Sequence, residues 1–178
     1  MKFLKKYYWI LISVFVIVLD QITKFLIVRN MDLADEIPVI KGFFSLLYVQ
    51  NTGVAFGILA NFGWISKIFV ALLTTSIVVF AVIILIRGKL QHTLGVVSAA
   101  MVIGGGIGNL IDRILRKYVV DFFAFTFGSW QFAVFNVADF FVTVGTILFL
   151  IYFAFLHKEH NNTVKESPED GATQIQDQ

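Results

Sequence analysis

Asp121 and Asp139 are two carboxylates whose setting suits acid–base chemistry. Among the residues three or four positions away, only Lys117 sets a positive charge beside Asp121, and none stands beside Asp139. Two carboxylates that converge cannot both ionise cheaply, so one pKa rises and the pair shares a proton. Such a dyad can hold a water. One member deprotonates it for attack on a peptide carbonyl, while the other polarises that carbonyl and later protonates the leaving amine. Two aspartates alone carry this reading weakly, and what surrounds them decides how far it goes.

Other polar residues recur at helical spacings. DQITK sets Asp20 and Lys24 at i, i+4; GNLIDR sets Asn109, Asp112 and Arg113 at i, i+3, i+4; FNVAD sets Asn136 and Asp139 at i, i+3. Each trio or pair therefore points one way from its helix. In an apolar segment that direction is not lipid, where a centrally placed carboxylate costs roughly 2.5–3.5 kcal/mol. The groups must meet one another or line a wet cavity. In one reading they stitch a helix bundle together, each contact contributing well under about 2 kcal/mol. In the other, Asp20, Lys24, Asp112 and Arg113 form a supporting shell that fixes reactive groups.

The composition makes the apolar setting plain. Hydrophobic residues are 58% of the 178 positions and charged ones 15%, well below a soluble domain's share. A mean hydropathy of +0.82 agrees. The net charge of +2 is small and dispersed, which argues against nucleic acid. Without cysteine there is no disulfide, thiolate metal site or thiol nucleophile. His92, His157 and His160 lie in polar breaks, so neither a metal site nor a Ser-His triad is supported. A Ser45–Lys24 dyad stays open as a lesser alternative.

Four segments have the roughly 20 apolar residues that a membrane crossing requires: 7–28, 68–86, 93–111 and 137–156. Arg87–His92 is a short link that predicts a hairpin of the second and third helices. The connector 30–67 carries Gly, Pro and charge, and its GFFSLLYVQNTGVAFGI reads as short strands broken by Gly53 and Gly57. NTGVAF is either a turn or a backbone edge that receives an extended peptide. Gly104-x-x-x-Gly108 is a close-packing pattern, with a flat wall for a substrate helix or acyl chain as the alternative. Asp121 falls in the loop after the third span. Three lysines precede the first span, which places both termini in the cytoplasm. Chain parity then puts Asp20, Asp112, Asp121 and Asp139 on the outer side. Trp9 falls at the inner interface and Trp64 and Trp130 near the outer one. Residues 157–178 are polar and read as a disordered tail beyond a membrane domain of residues 1–156.

In this order and at these separations, DQITK, NTGVAF, GNLIDR, VVDF and FNVAD resemble the motif set of the bacterial lipoprotein signal peptidases, the signal peptidase II family. The resemblance runs over about residues 8–156. It implies an all-α integral membrane protein with four transmembrane helices, a small extracytoplasmic β-cradle and a short amphipathic surface helix, for which Asn61–Lys67 is the candidate. It also implies an aspartyl endopeptidase of the cytoplasmic membrane, with no cofactor or metal and acting as a monomer. The substrate would be a diacylglyceryl-modified prolipoprotein held in membrane lipid, cut on the N-terminal side of its lipidated cysteine. Carried over by motif, Asp121 and Asp139 are catalytic. Asp20, Lys24, Asn51, Gly53, Gly105, Asn109, Asp112, Arg113 and Asn136 support the dyad, the substrate backbone and the lipid head region. The rival class is an ion or small-solute translocator working through Asp20, Lys24 and Asp112. It requires a polar path to the inner face, and the second and fourth spans lack acids over their inner halves.

Overall fold

The computed structural model describes residues 2–52, 63–90 and 92–156. Four long helices account for most of it: α1 (Lys2–Asn30), α2 (Gly63–Ile86), α3 (Thr93–Leu115) and α4 (Val137–Ile151), which loosens into a π-helical turn over Tyr152–Leu156. Each contains a stretch long and apolar enough to cross a membrane: Tyr7–Asn30, Ile68–Ile86, Thr93–Leu115 and Val137–Phe155. Leu11, Phe15, Leu72, Phe80 and Leu150 are all more than half exposed, as side chains facing lipid would be.

The hub is α3. Its spanning stretch is 61% buried, against 28%, 11% and 22% for α1, α2 and α4. Three consecutive glycines explain how one helix serves three neighbours, because successive residues point about 100° apart. A Cβ on Gly104 would lie 2.7 Å from Val16 in α1, and one on Gly105 would lie 2.4 Å from the Ala138 carbonyl oxygen of α4. One on Gly106 would lie 2.4 Å from a methyl of Val78 in α2. Backbones thus approach where a side chain would hold them apart. Ser13 reinforces the α1 contact by donating to the Ala100 carbonyl at 2.9 Å. Gly105 therefore meets the backbone of α4, and faces no open wall.

An all-α fold omits the second element of the architecture. At the end of the bundle where α1 and α3 finish and α4 begins stands an antiparallel sheet in the order β1 (Glu36–Ile40), β2 (Phe44–Asn51), β3 (Val119–Phe127), β4 (Trp130–Gln131). Half of it comes from the second connector, where the sequence reading placed a loop. The reason lies in the alternation of VVDFFAFTF. Val120, Phe122 and Ala124 are buried, at 0–2% exposure, and the first two share a core with Ile27 of α1, Met31 just beyond it and Val137 of α4. Lys117, with a left-handed φ of 68°, turns the chain from α3 into β3. A second core, formed by Val78, Ala81, Leu85, Val96, Ala99 and Ile103, seals α2 against α3.

Some expectations fall outside the described residues: Gly53 and the remainder of NTGVAF after Thr52, Asn61 of the surface-helix candidate, and the tail 157–178. From Gly63 to Lys67 the chain already belongs to α2.

The glycine contacts predict an order of damage. Gly105→Ala drives a methyl into the backbone of α4, which cannot rotate away, whereas Gly106→Ala meets a valine methyl that can. Thermal unfolding in detergent should show the larger loss for Gly105→Ala, about 1–3 kcal/mol or more. Equal losses would remove the close-approach account.

Candidate active site

A fully buried ammonium organises the polar cluster. Lys24 in α1 pairs with Asp20 one turn earlier at 2.8 Å and with Asp112 of α3 at 3.0 Å, all three side chains at 0% exposure. Its third donor goes to the Asn109 side-chain oxygen at 2.9 Å. The lysine is thus hydrogen-bonded in full. Removing one partner of such a buried pair typically costs about 3–5 kcal/mol, because an uncompensated charge is left behind.

Each carboxylate then reaches outward to backbone. Asp20 accepts from the Ala138 amide at 2.9 Å, holding the first turn of α4. Asp112 accepts from the Val120 amide at 3.2 Å, holding β3 one residue before Asp121. The other oxygen of Asp112 is paired with Arg116. Gln21 bridges the two helices, donating to Asp20 at 3.1 Å, to the Gly108 carbonyl at 3.2 Å and to Asp112 at 3.4 Å.

Asn136 is the N-cap of α4. Its side-chain oxygen accepts from the Asp139 amide at 2.9 Å, and its own amide donates back to the Asp139 carboxylate at 3.3 Å, a reciprocal capping box. The cap leaves the NH2 group of Asn136 free to donate to Asp121 at 2.6 Å and to Asn109 at 3.2 Å. Asn109 in turn donates to Asp139 at 2.7 Å. Asn51, at the end of β2, donates to the second oxygen of Asp121 at 2.9 Å. Two aspartates 18 positions apart thus meet through shared amides. Asp121 is 2% exposed and Asp139 half-buried. Burial first, and the charge of Asp139 second, push Asp121 up to about 7, against the hydrogen bonds of Asn51 and Asn136. The N-terminus of α4 meanwhile suits a carboxylate at Asp139.

Most of the residues named from the sequence meet here: Asp20, Lys24, Asn51, Asn109, Asp112, Asp121, Asn136 and Asp139. Asp121 stands on a strand, and no loop carries it. Arg113 donates to the Asn109 carbonyl at 3.3 Å and has no ion pair among the described residues; Arg116 takes the Asp112 contact. Arg116 was legible as the i+4 partner of Asp112, and Gln21 as the neighbour of Asp20. Neither signal is specific without knowing which helices touch. The Ser45–Lys24 dyad does not form, since Ser45 donates to Glu36 at 2.6 Å and Lys24 is fully engaged. Among the described residues, no three His, Asp or Glu side chains converge as a metal site.

Comparison with known proteins gives the family of the chain. The family model described as signal peptidase (SPase) II matches residues 12–155. The lipoprotein signal peptidase of Symbiobacterium thermophilum is 40% identical over 150 residues, covering 84% of this chain and 96% of that protein. The lipoprotein signal peptidase of Geobacillus kaustophilus is 42% identical over 150 residues, covering 84% and 93%. A bacterial membrane enzyme solved by the in meso method at 2.3 Å resolution superimposes with a TM-score of 0.71 at 32% identity, covering 92% of this chain and 94% of that one. Sequence and fold agree over nearly the whole described chain, which belongs to the signal peptidase II family.

Proposed function

We propose that this protein removes the signal peptide from diacylglyceryl-modified prolipoproteins, cutting on the N-terminal side of the lipidated cysteine as an aspartyl endopeptidase. The observation that carries this reading is the pairing of Asp121 and Asp139 through Asn136, which donates to both at 2.6 and 3.3 Å. The names of the relatives support the substrate class. Residues 1–156 form the peptidase and 157–178 a cytoplasmic tail. The chain works as a monomer in the bacterial cytoplasmic membrane, both termini inside and the dyad near the outer leaflet. The sheet cradles the substrate.

In this mechanism Asp121 begins protonated and Asp139 ionised. Asp139 takes a proton from a water, whose oxygen attacks the scissile carbonyl carbon, while Asp121 gives its proton to the carbonyl oxygen. The tetrahedral intermediate carries two hydroxyls. Asp139, and not the member that polarised the carbonyl as the sequence reading had it, then protonates the amide nitrogen, the C–N bond breaks, and one hydroxyl returns its proton to Asp121. Both groups end as they began. Arg113, which feels the charges of Asp139, Asp121 and Asp112 and forms no ion pair among the described residues, is available to the substrate's carbonyl groups or lipid head. Ion translocation finds no support in Asp20, Lys24 and Asp112, which are fully buried and bonded to one another.

Asp121→Asn and Asp139→Asn should each abolish cleavage of a diacylated precursor in a gel-shift assay, while both variants fold. Normal turnover by either would remove the dyad. The pH dependence follows from Asp121. Its pKa of about 7 lies above its ordinary value, so the proton it needs is present at low pH and lost as pH rises through 7. The kcat/KM profile should therefore decline on the alkaline side with an apparent pKa near 7 belonging to the pair. A rate still climbing at pH 9 would contradict this assignment.

A further inference from the structure

α2 and α4 both pack on α3 and leave a gap between them, an apolar cavity of about 170 Å³ lined from all three helices. Small residues open it. Ala81 of α2 and Ala99 of α3 are buried and form its floor, while Phe80 of α2, 64% exposed, and the half-buried Phe149 of α4 stand at its rim. Among the described residues that line it, only Thr146 carries a polar side chain, and its hydroxyl donates to the Val142 carbonyl of its own helix at 2.7 Å. An ordered water needs at least about two polar partners, so this cavity suits hydrocarbon. It lies in the half of the bundle away from the polar cluster: Thr146 stands seven residues beyond Asp139, about 10 Å along α4.

Size and charge select the occupant. An α-helix with its side chains is about 10–12 Å across, so a single turn of one already exceeds this volume. A single acyl chain does not, since a cavity of roughly 150 Å³ accepts a benzene ring. At its far end the cavity is closed by Leu90. Just before it, Gly88 turns the chain out of α2 with a left-handed φ of 64°, and Arg87 and Lys89 on either side of that glycine are exposed. Residues 63–111 and 140–156, which supply the helices and the link around the cavity, contain no Asp or Glu. Hydrocarbon is thus accepted along the cavity and negative charge at its end, the two halves of an anionic phospholipid.

We propose that the gap between α2 and α4 binds one acyl chain of an anionic phospholipid, with the lipid phosphate against Arg87 and Lys89. With both termini in the cytoplasm, this lipid belongs to the inner leaflet. The binding stands on the cavity and the two cations and needs no peptidase activity.

The test is native mass spectrometry of the full chain, released from detergent holding equal amounts of dioleoylphosphatidylglycerol and dioleoylphosphatidylcholine. One phosphatidylglycerol should stay on each chain, favoured over phosphatidylcholine by about fivefold or more. Arg87→Gln combined with Lys89→Gln, both on the exposed link, should abolish that preference. Thr146→Phe, which fills the cavity from an exposed position, should abolish retention itself. Circular dichroism of each variant separates lost binding from lost fold, and the charge variant decides the matter if Thr146→Phe does not fold. Equal retention of the two lipids, an unchanged preference in the charge variant, or unchanged retention in folded Thr146→Phe would overturn the proposal. A two-chain species that Thr146→Phe removes would overturn it as well, by giving the gap to a second copy. So would displacement of the lipid by an equimolar synthetic lipoprotein signal peptide, by giving the gap to substrate.

Discussion

Everything at the sheet end of this protein depends on one lysine with no access to water. An ammonium among membrane-spanning helices stays charged only if its hydrogens are all accepted and its charge is balanced. Lys24 meets that condition with Asp20, Asp112 and Asn109, which belong to two different helices. The partners then pass the constraint on. Asp20 fixes where α4 starts, Asp112 fixes where β3 runs, and Asn109 fixes Asp139. Neither Asp121 nor Asp139 forms an ion pair with the lysine, yet both are placed by it.

The glycines of α3 make that network reachable. The 2.7 Å hydrogen bond between Asn109 and Asp139 joins two short side chains, so α3 and α4 must run close together. Close packing at Gly104, Gly105 and Gly108 brings α1 and α4 within that distance, and at Gly108 the neighbour is the Asp20 carboxylate itself. Packing and polar satisfaction are therefore one requirement: a wider bundle would strand the charges, and an unbalanced charge would open the bundle.

Much of this was legible in the sequence. Hydropathy gives the four helices, and i, i+3 or i, i+4 spacing shows that each aims its polar groups in one direction. The chemistry proposed for Asp121 and Asp139 is only weakly readable from the two carboxylates and rests on the motif order. What spacing could not give was the partner of each group. Asp112 has Arg113 beside it and Arg116 one turn on, and only the cap geometry of α3 selects the second. The strand under Asp121 was missed for a related reason. VVDFFAFTF is aromatic on one face and buried on the other, so its alternation does not show as polar against apolar, and the run reads as an apolar loop until the helices that cover it are in place.

The capping box at the start of α4 ties chemistry to architecture. One oxygen of Asp139 accepts from the Asn136 backbone amide and the other from the Asn109 side chain. A carboxylate that gains a proton becomes a poorer acceptor for both. A proton on Asp139 would therefore weaken both contacts at the first turn of α4, and its loss would restore them. The helix start would act as a spring loaded by charge, its tension set by the side chain that caps it.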